Sequence, residues 1–391
     1  MTGHLFGQSK YEKDFTQFWT DFKENYAYFE KQQVDWEKVK VVYQPMADTI
    51  SNKNELIRLL EKVVNELHNG HVSLNVNLRS SNRIVPSGSD LFVTKLNSRY
   101  IISDLRKDFG AELCGLKPGM EVVKFNGRSI DEQVKSFLPR FINQYTDDMQ
   151  AYALAMLFAG TQNKPRSITI LEKGVEKVFY PDQVPLSTKE ETLAEGRILD
   201  GNTGYIKINN SLGENELIPL FDRILDSMMN TKSLILDLTE TPGGGNSVVA
   251  RDIMGRFIDR DLPYQKHELE ETSYRIKRSW LEYVSPRKGI YRKKLIVMVG
   301  HWTGSMAEGI AIGFDGMKRG TIVGTRMAGL LGAIEGFKTV ETNIGYQIPT
   351  ERLYHVNGVP REDFVPARLT HTIYETRDLV NEIMNTRLSN R

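Results

Sequence analysis

Two short apolar runs restrict the fold most: Leu234-Ile235-Leu236-Asp237-Leu238 and Leu295-Ile296-Val297-Met298-Val299. Each is followed by glycine-rich sequence and then by a helical pattern. Runs of this length and type are those of strands buried on both faces, and such strands need helices to cover their sheet. Gly204-Tyr205-Ile206-Lys207-Ile208 reads as a further strand, and Leu220, Phe221, Ile224, Leu225 and Met228 share one helical face. Strands alternating with helices predict an α/β core over residues 190–391.

Upstream the pattern changes twice, so the chain reads as multi-domain. Phe15, Phe18, Trp19, Phe22, Tyr26 and Phe29 recur at helical spacing, as do Trp36, Val39, Tyr43, Met46 and Ile50, with Pro45 expected to kink or end that helix. Leu56, Leu59, Leu60, Val63, Val64 and Leu67 form the cleanest stripe, with Asn52 and Glu55 placed as a capping box. Residues 1–78 are therefore predicted as a helical bundle that ends at Asn69-Gly70 and runs into a strand-like His71–Val76. Residues 84–185 follow a polar boundary and contain short strands. Their centre, Leu116-Lys117-Pro118-Gly119-Met120-Glu121-Val122-Val123-Lys124-Phe125-Asn126-Gly127, brackets an apolar strand with two turn dipeptides. This stretch resembles the PDZ family. The resemblance implies a module that accepts an extended peptide as an added strand, or a spacer derived from one.

Composition narrows the function classes. Lys+Arg number 51 against 50 Asp+Glu, a balance that points to no polyanion partner such as nucleic acid. The basic stretch Arg287-Lys288 with Arg292-Lys293-Lys294 reads as a solvated loop. A single cysteine, Cys114, excludes an intramolecular disulfide and a multi-cysteine metal site, and it reads as a packing residue. No His-Glu-x-x-His occurs among the seven scattered histidines, so neither a metal nor a cofactor is expected. No run approaches the ~18–20 apolar residues of a membrane span. The N-terminal residues carry no signal segment, which is expected of a cytoplasmic chain or of one whose signal was removed.

Two segments can carry chemistry. In Val299-Gly300-His301-Trp302-Thr303-Gly304-Ser305-Met306-Ala307-Glu308-Gly309, a buried strand enters a tight turn, a serine and a helix. This places the Ser305 hydroxyl at the carboxyl edge of a sheet and at a helix N-terminus, where amides and the helix dipole favour a developing oxyanion. Taken alone, a serine there is most often only an N-cap. In Asp237-Leu238-Thr239-Glu240-Thr241-Pro242-Gly243-Gly244-Gly245-Asn246, three glycines let the backbone approach a ligand. A P-loop would need Gly-Lys-Ser/Thr, which is absent, leaving an oxyanion loop or a plain turn.

Together, Asp-Leu-x-x-x-x-Gly-Gly and then Thr-x-Ser-x-x-Glu before a helix resemble the tail-specific (C-terminal-processing) serine protease family, with the PDZ-like module in the same order. The resemblance spans roughly residues 11–370. It implies a ClpP/crotonase-like α/β core, Ser305 as nucleophile, and an oxyanion hole from the amides of Ser305 or Met306 with Gly243 or Gly244. Many members pair the serine with a lysine, but the matching position here is Leu330, and Lys338 lies outside the motif. The tricorn-like branch uses a histidine after the helical bundle. Leu67-His68-Asn69-Gly70-His71 supplies His71 as the implied general base, with Gly70 where that branch has a serine and Ser73 as a substitute for it. The same branch implies a carboxylate in Asn357-Gly358-Val359-Pro360-Arg361-Glu362-Asp363: Glu362, with Asp363 as fallback. The usual ending of the family is reduced to Phe364-Val365-Pro366-Ala367. His68 and His301 are alternative bases, and Glu308 is expected to serve the helix N-terminus or the rim of the site.

The expectation is a serine endopeptidase acting on extended or unfolded polypeptides through a Ser305 acyl-enzyme, without a cofactor. A catalytically inactive relative that binds peptide or an apolar ligand, as interphotoreceptor retinoid-binding proteins do, is the alternative. A PDZ-bearing scaffold is the third reading. The resemblance also implies a periplasmic or cell-envelope location.

Overall fold

The computed structural model describes residues 8–142, 144–185, 192–271 and 274–385. Its centre is a six-stranded sheet in the order Arg368–Leu369, Thr321–Gly324, Lys294–Val299, Ser233–Asp237, Thr203–Ile208, Ala194–Leu199. All neighbours are parallel except the last pair. The two apolar runs are the central strands, paired from Ser233↔Lys294 to Asp237↔Met298. Their side chains alternate between two apolar layers, which is why both runs lack polar alternation. Leu234, Leu236, Val297 and Val299 meet the helices Leu217–Ser227, Ser247–Gly255 and Met306–Gly316 on one face. Ile235, Ile296 and Met298 meet Val380 of the helix Ile373–Asn385 on the other.

The N-terminal helices Lys10–Asn25, Trp36–Ala47 and Lys53–Asn65 carry most of the predicted stripes, but Met46 is exposed and Ile50 lies beyond its helix. Trp19 and Trp36 exchange hydrogen bonds from each indole N–H to the other's backbone carbonyl, at 2.9 and 3.0 Å. Pro45 lies inside the last turn of its helix rather than ending it. Asn52 caps the third helix by accepting from the Glu55 amide, while Glu55 reaches back one residue further than a capping box requires, to Ser51 N–H at 2.9 Å. The bundle does not close its own core. Tyr346 and Ile348 of the strand Gly345–Tyr354 complete it, together with Ile344 and Leu331. Asp14 anchors the approach to that strand by accepting from the Glu341 and Thr342 amides. This strand belongs to a second sheet, ordered Ser73–Leu74, Gly345–Tyr354, Leu262–Glu271, Ile276–Val284, with Ala333–Lys338 also paired to Gly345–Tyr354. The segment after the bundle is thereby paired to the core, Ser73 opposite Gln347.

The β-rich unit has its own sheet, ordered Leu91–Leu96, Arg99–Leu105, Glu121–Phe125, Ile168–Glu172, Val175–Phe179, with Arg128–Ser129 hairpinned onto Glu121–Phe125. Asn126 and Gly127 both have positive φ, 49° and 72°, as a two-residue type I′ hairpin turn requires. The helix Asp147–Ala159 packs on this sheet. Several contacts fasten the unit to the core. Arg106 pairs with Glu240 at 2.6 Å, both buried. Trp302 Nε1 donates to the Ser89 carbonyl at 2.7 Å. Asp104 accepts from the Ile373 amide at 3.1 Å, at the start of the last helix. Among the described residues no helix is long and apolar enough to cross a membrane.

Candidate active site

The serine turn is built by close backbone approach. Thr303, fully buried, bridges the two central strands' exits: its Oγ1 accepts from Gly300 N–H at 2.8 Å and donates to the Leu238 carbonyl at 2.9 Å. Gly304 N–H donates to the Thr241 carbonyl at 3.0 Å. A Cβ at Gly304 would lie 2.4 Å from the Pro242 carbonyl oxygen, so only glycine lets the serine turn rest on the glycine-rich loop. Ser305 then adopts φ 55° and ψ −117°, a conformation that L side chains rarely take and that costs on the order of 1–3 kcal/mol. Strain of this kind persists only where surrounding contacts enforce it, and here the strained residue opens the helix Met306–Gly316.

The hydroxyl meets His71. His71 Nε2 lies 3.0 Å from Ser305 Oγ, and His71 Nδ1 lies 3.0 Å from the Leu331 carbonyl oxygen. A carbonyl only accepts, so Nδ1 carries the ring proton and Nε2 is left as the acceptor for the serine O–H. Burial, with Arg361 adding to it, pushes His71 down to about 4, which keeps the imidazole neutral and basic at Nε2. Its backbone is held from both sides: its N–H donates to Asn69 Oδ1 at 3.0 Å, and its carbonyl accepts from Gln347 Nε2 at 2.9 Å.

The carboxylate expected beside the base is placed elsewhere. Glu362 Oε1 accepts from Lys31 Nζ at 2.7 Å, and Asp363 accepts from the same ammonium at 3.2 Å. The orienting acceptor for His71 is thus a backbone carbonyl rather than Glu362 or Asp363. The reason lies in the short helical turn Arg361–Asp363, which sends Arg361 inward and leaves Glu362 against the N-terminal bundle. Arg361 is 2% exposed and grips three carbonyls: Leu330 at 2.7 Å, Gly332 at 3.2 Å and Ser305 at 3.3 Å. The carbonyls on either side of Leu331 are therefore fixed by one guanidinium, and the Leu331 carbonyl between them is fixed with them.

Glu308 holds the opposite side and is fully buried, so it does not serve the rim. Its Oε2 accepts from Ser305 N–H at 2.7 Å and its Oε1 from Gly329 N–H at 2.9 Å, with Arg361 3.9 Å away. Burial pushes Glu308 up to about 7, against the pull of Arg361. Ser305 N–H is engaged by Glu308 and Ala307 N–H by the Gly304 carbonyl, while Met306 N–H stands at the first helical position, which lacks an intrahelical acceptor. In the glycine-rich loop, Gly243 N–H donates to Asn210 Oδ1 at 3.0 Å, and Gly244 (φ 77°) backs onto Gly213. Gly245 faces Ser305: a Cβ there would lie 3.8 Å from Ser305 Oγ. The run of three glycines signalled this loop, but its spacing did not say which member turns to the serine.

The other sequence candidates fall outside the pair. His301 stacks on Phe92 with centroids 3.8 Å apart, at the junction with the β-rich unit. His68 turns its Nδ1 to the Glu66 carbonyl at 3.3 Å. Lys338 lies on the strand Ala333–Lys338 and is exposed. Gly70 has no room for the serine of the related pattern, since a Cβ there would meet the Val85 carbonyl and Leu330 Cδ2 at 3.0 Å. Leu330 itself, at the lysine position of the dyad pattern, fills the space between Gly70 and Gly304. Arg361 and the Leu331 carbonyl are the groups around His71 that motif reading missed. Arg361 sits inside the quoted Asn-Gly-x-x-x-Glu stretch, but nothing in its spacing marks it as inward-facing.

Residues 202–363 match peptidase family S41, and residues 8–65 match the tricorn protease C1 domain. The structure of mature CPAF complexed with lactacystin superposes with a TM-score of 0.67 at 16% identity, covering 96% of this chain and 99% of that one. The photosystem II D1 C-terminal processing protease gives 0.57 at 14% identity, over 93% of both chains. A lipoprotein from Streptococcus agalactiae gives 0.52 at 12% identity, over 99% of this chain and 100% of that one. At such identities these three likenesses are of fold.

Proposed function

Since the chain belongs to peptidase family S41 and is a serine peptidase, we propose that it cleaves extended polypeptides through an acyl-enzyme on Ser305, with His71 as general base. The observation that carries this reading is the 3.0 Å contact from His71 Nε2 to Ser305 Oγ. Ser305 Oγ adds to the peptide carbonyl carbon as its proton passes to His71 Nε2. The carbonyl oxygen becomes an oxyanion beside the Met306 amide and the Gly243–Gly245 loop. The imidazolium returns the proton to the leaving amine, the C–N bond breaks, and water, deprotonated by the same nitrogen, releases the acyl group and restores Ser305.

In this mechanism Leu331, clamped by Arg361, does for the imidazole what a carboxylate does in a Ser-His-Asp triad: it fixes tautomer and orientation. A neutral acceptor stabilises the imidazolium less than a carboxylate does. Arg361 acts as a positioning residue whose charge further favours the neutral ring. The β-rich unit is proposed to recruit substrate as an added strand, its outer strand Leu91–Leu96 being the sheet edge nearest the helix Asp147–Ala159.

Labelling with a fluorophosphonate probe tests the assignment. Wild type labels, Ser305→Ala does not, and His71→Ala labels at least about a hundredfold more slowly. A wild type that stays unlabelled, with and without the β-rich unit engaged by peptide, would make the inactive ligand-binding reading the better one.

A further inference from the structure

A cleft of about 340 Å3 opens next to the catalytic pair, where the helical bundle, the β-rich unit and the core meet. Gly70, adjacent to His71, lines it together with Leu330 and Leu331, whose backbone orients the base. The opposite wall is apolar, with Ala151 and Ala155 of the helix Asp147–Ala159. Two polar side chains in this lining have a buried atom without a hydrogen-bond partner, His68 Nε2 and Glu362 Oε2. His68 is 5% exposed and the Glu362 side chain 7%.

Both atoms are acceptors. His68 Nδ1 faces the Glu66 carbonyl, so the ring proton sits there and Nε2 presents a bare lone pair; burial pushes this histidine down to about 4 and keeps it neutral. Glu362 spends Oε1 on Lys31 and leaves Oε2 open. A buried acceptor without a donor costs about 1–3 kcal/mol, which a ligand group bearing N–H donors recovers. The lining also carries Asp148 and Arg326, both exposed, and Lys31, whose ammonium pairs with both Glu362 and Asp363. Three carboxylates thus face two cations, and Glu362 keeps its second oxygen, Oε2, open beside the pair.

We propose that this cleft is a specificity subsite that takes a long basic side chain, arginine or lysine, of the polypeptide substrate. Resting on the assignment of Ser305 and His71, it adds a substrate class to that site. The aliphatic stem lies along Ala151, Ala155 and Leu330, and the cationic head donates to His68 Nε2 and Glu362 Oε2.

The test uses matched internally quenched peptides in which each position flanking the cleaved bond is arginine, lysine, norleucine or glutamate in turn. Fluorophosphonate labelling is read on the same samples. At one position, arginine and lysine are expected to exceed norleucine by about tenfold in kcat/KM, and glutamate to be poorest. Glu362→Gln and His68→Phe are expected to bring the arginine-to-norleucine ratio below about threefold, chiefly through KM. Should burial make those two variants unfold, Asp148→Lys on the exposed rim decides: the ratio falls if the subsite takes a cation and stays unchanged if it does not. Wild type that labels yet cleaves norleucine peptides as well as arginine peptides at every position overturns the subsite alone. Wild type that does not label overturns the Ser305 assignment and the subsite with it.

Discussion

The two halves of the proposed catalytic pair, Ser305 and His71, are held in opposite ways. The Ser305 side is local: Thr303, Gly304 and Glu308 all lie within three residues of it, and the strand exits they touch belong to one sheet. The His71 side is assembled from a distance. Its ring meets Leu331, its backbone meets Gln347, and the guanidinium that steadies Leu331 comes from residue 361. Ser305 is thus held by strain and close packing, and His71 by long-range hydrogen bonds. Damage to the first should cost stability as well as rate. Damage to the second should show in rate and pH dependence, because the neutral carbonyl cradle has no charge of its own to hold the ring.

The largest expected effect treats both halves alike. Ser305→Ala and His71→Ala should each lower kcat by roughly 10⁴-fold or more, and the double variant should be little worse, since the pair acts as a unit. Steady-state hydrolysis of a quenched peptide measures this, and strictly additive losses would show that His71 is not the base of Ser305.

Arg361→Met acts chiefly on the His71 side, although the same guanidinium also reaches the Ser305 carbonyl. It is expected to cost about 10–100-fold in kcat, a loss typical of a misplaced catalytic group. Activity needs the neutral imidazole, so the acid limb lies near the His71 value of about 4, and loss of Arg361 moves that limb upward. Arg361→Lys should restore the position of the limb better than it restores the rate, because an ammonium supplies the charge without the fork that spans three carbonyls. A rate loss with an unmoved limb would reduce Arg361 to a packing role.

Gly304→Ala attacks the serine side through its packing. The neighbour 2.4 Å away is a backbone oxygen that cannot rotate aside, and a loss of about 3 kcal/mol in urea unfolding is expected. Wild-type stability in this variant would mean that the two strand exits are not locked together.

The smallest effect concerns the fold's dependence on pH. His71 titrates near the ordinary 6.5 when unfolded and at about 4 when folded. The unfolded chain therefore binds the proton first, and the contribution present above pH 6.5 is lost as pH falls from 6.5 toward 4. Comparing unfolding at pH 7 and pH 5, His71→Asn should remove about 2 kcal/mol of the decline. An unchanged decline would place the source in other groups.

The degree to which each half could be read in advance follows the same division. The apolar runs, the glycine loop and Thr-x-Ser-x-x-Glu are contiguous, so their chemistry lies in neighbouring residues, and the strands, the turn and the helix stand where their patterns placed them. Asn126-Gly127 was equally legible, because the turn it makes depends on two residues alone. Glu362 was expected beside the base and lies instead against Lys31, because a short helical turn chooses which of two adjacent charged residues faces inward. The helical stripes of residues 1–78 are legible in the sequence, but the strand Gly345–Tyr354 that completes their core is an apolar contact that no local periodicity encodes.

By itself, then, the sequence determined the periodicities, the tight serine turn and the identity of the residues available for proton transfer, since these follow from near-neighbour sterics and hydrogen-bonding capacity. Tertiary structure alone decided which acceptor orients His71, which glycine meets Ser305, and where Glu362 spends its charge. Those choices turn on differences of one residue in facing direction, made between segments hundreds of positions apart, and only the packing of the whole chain selects among them.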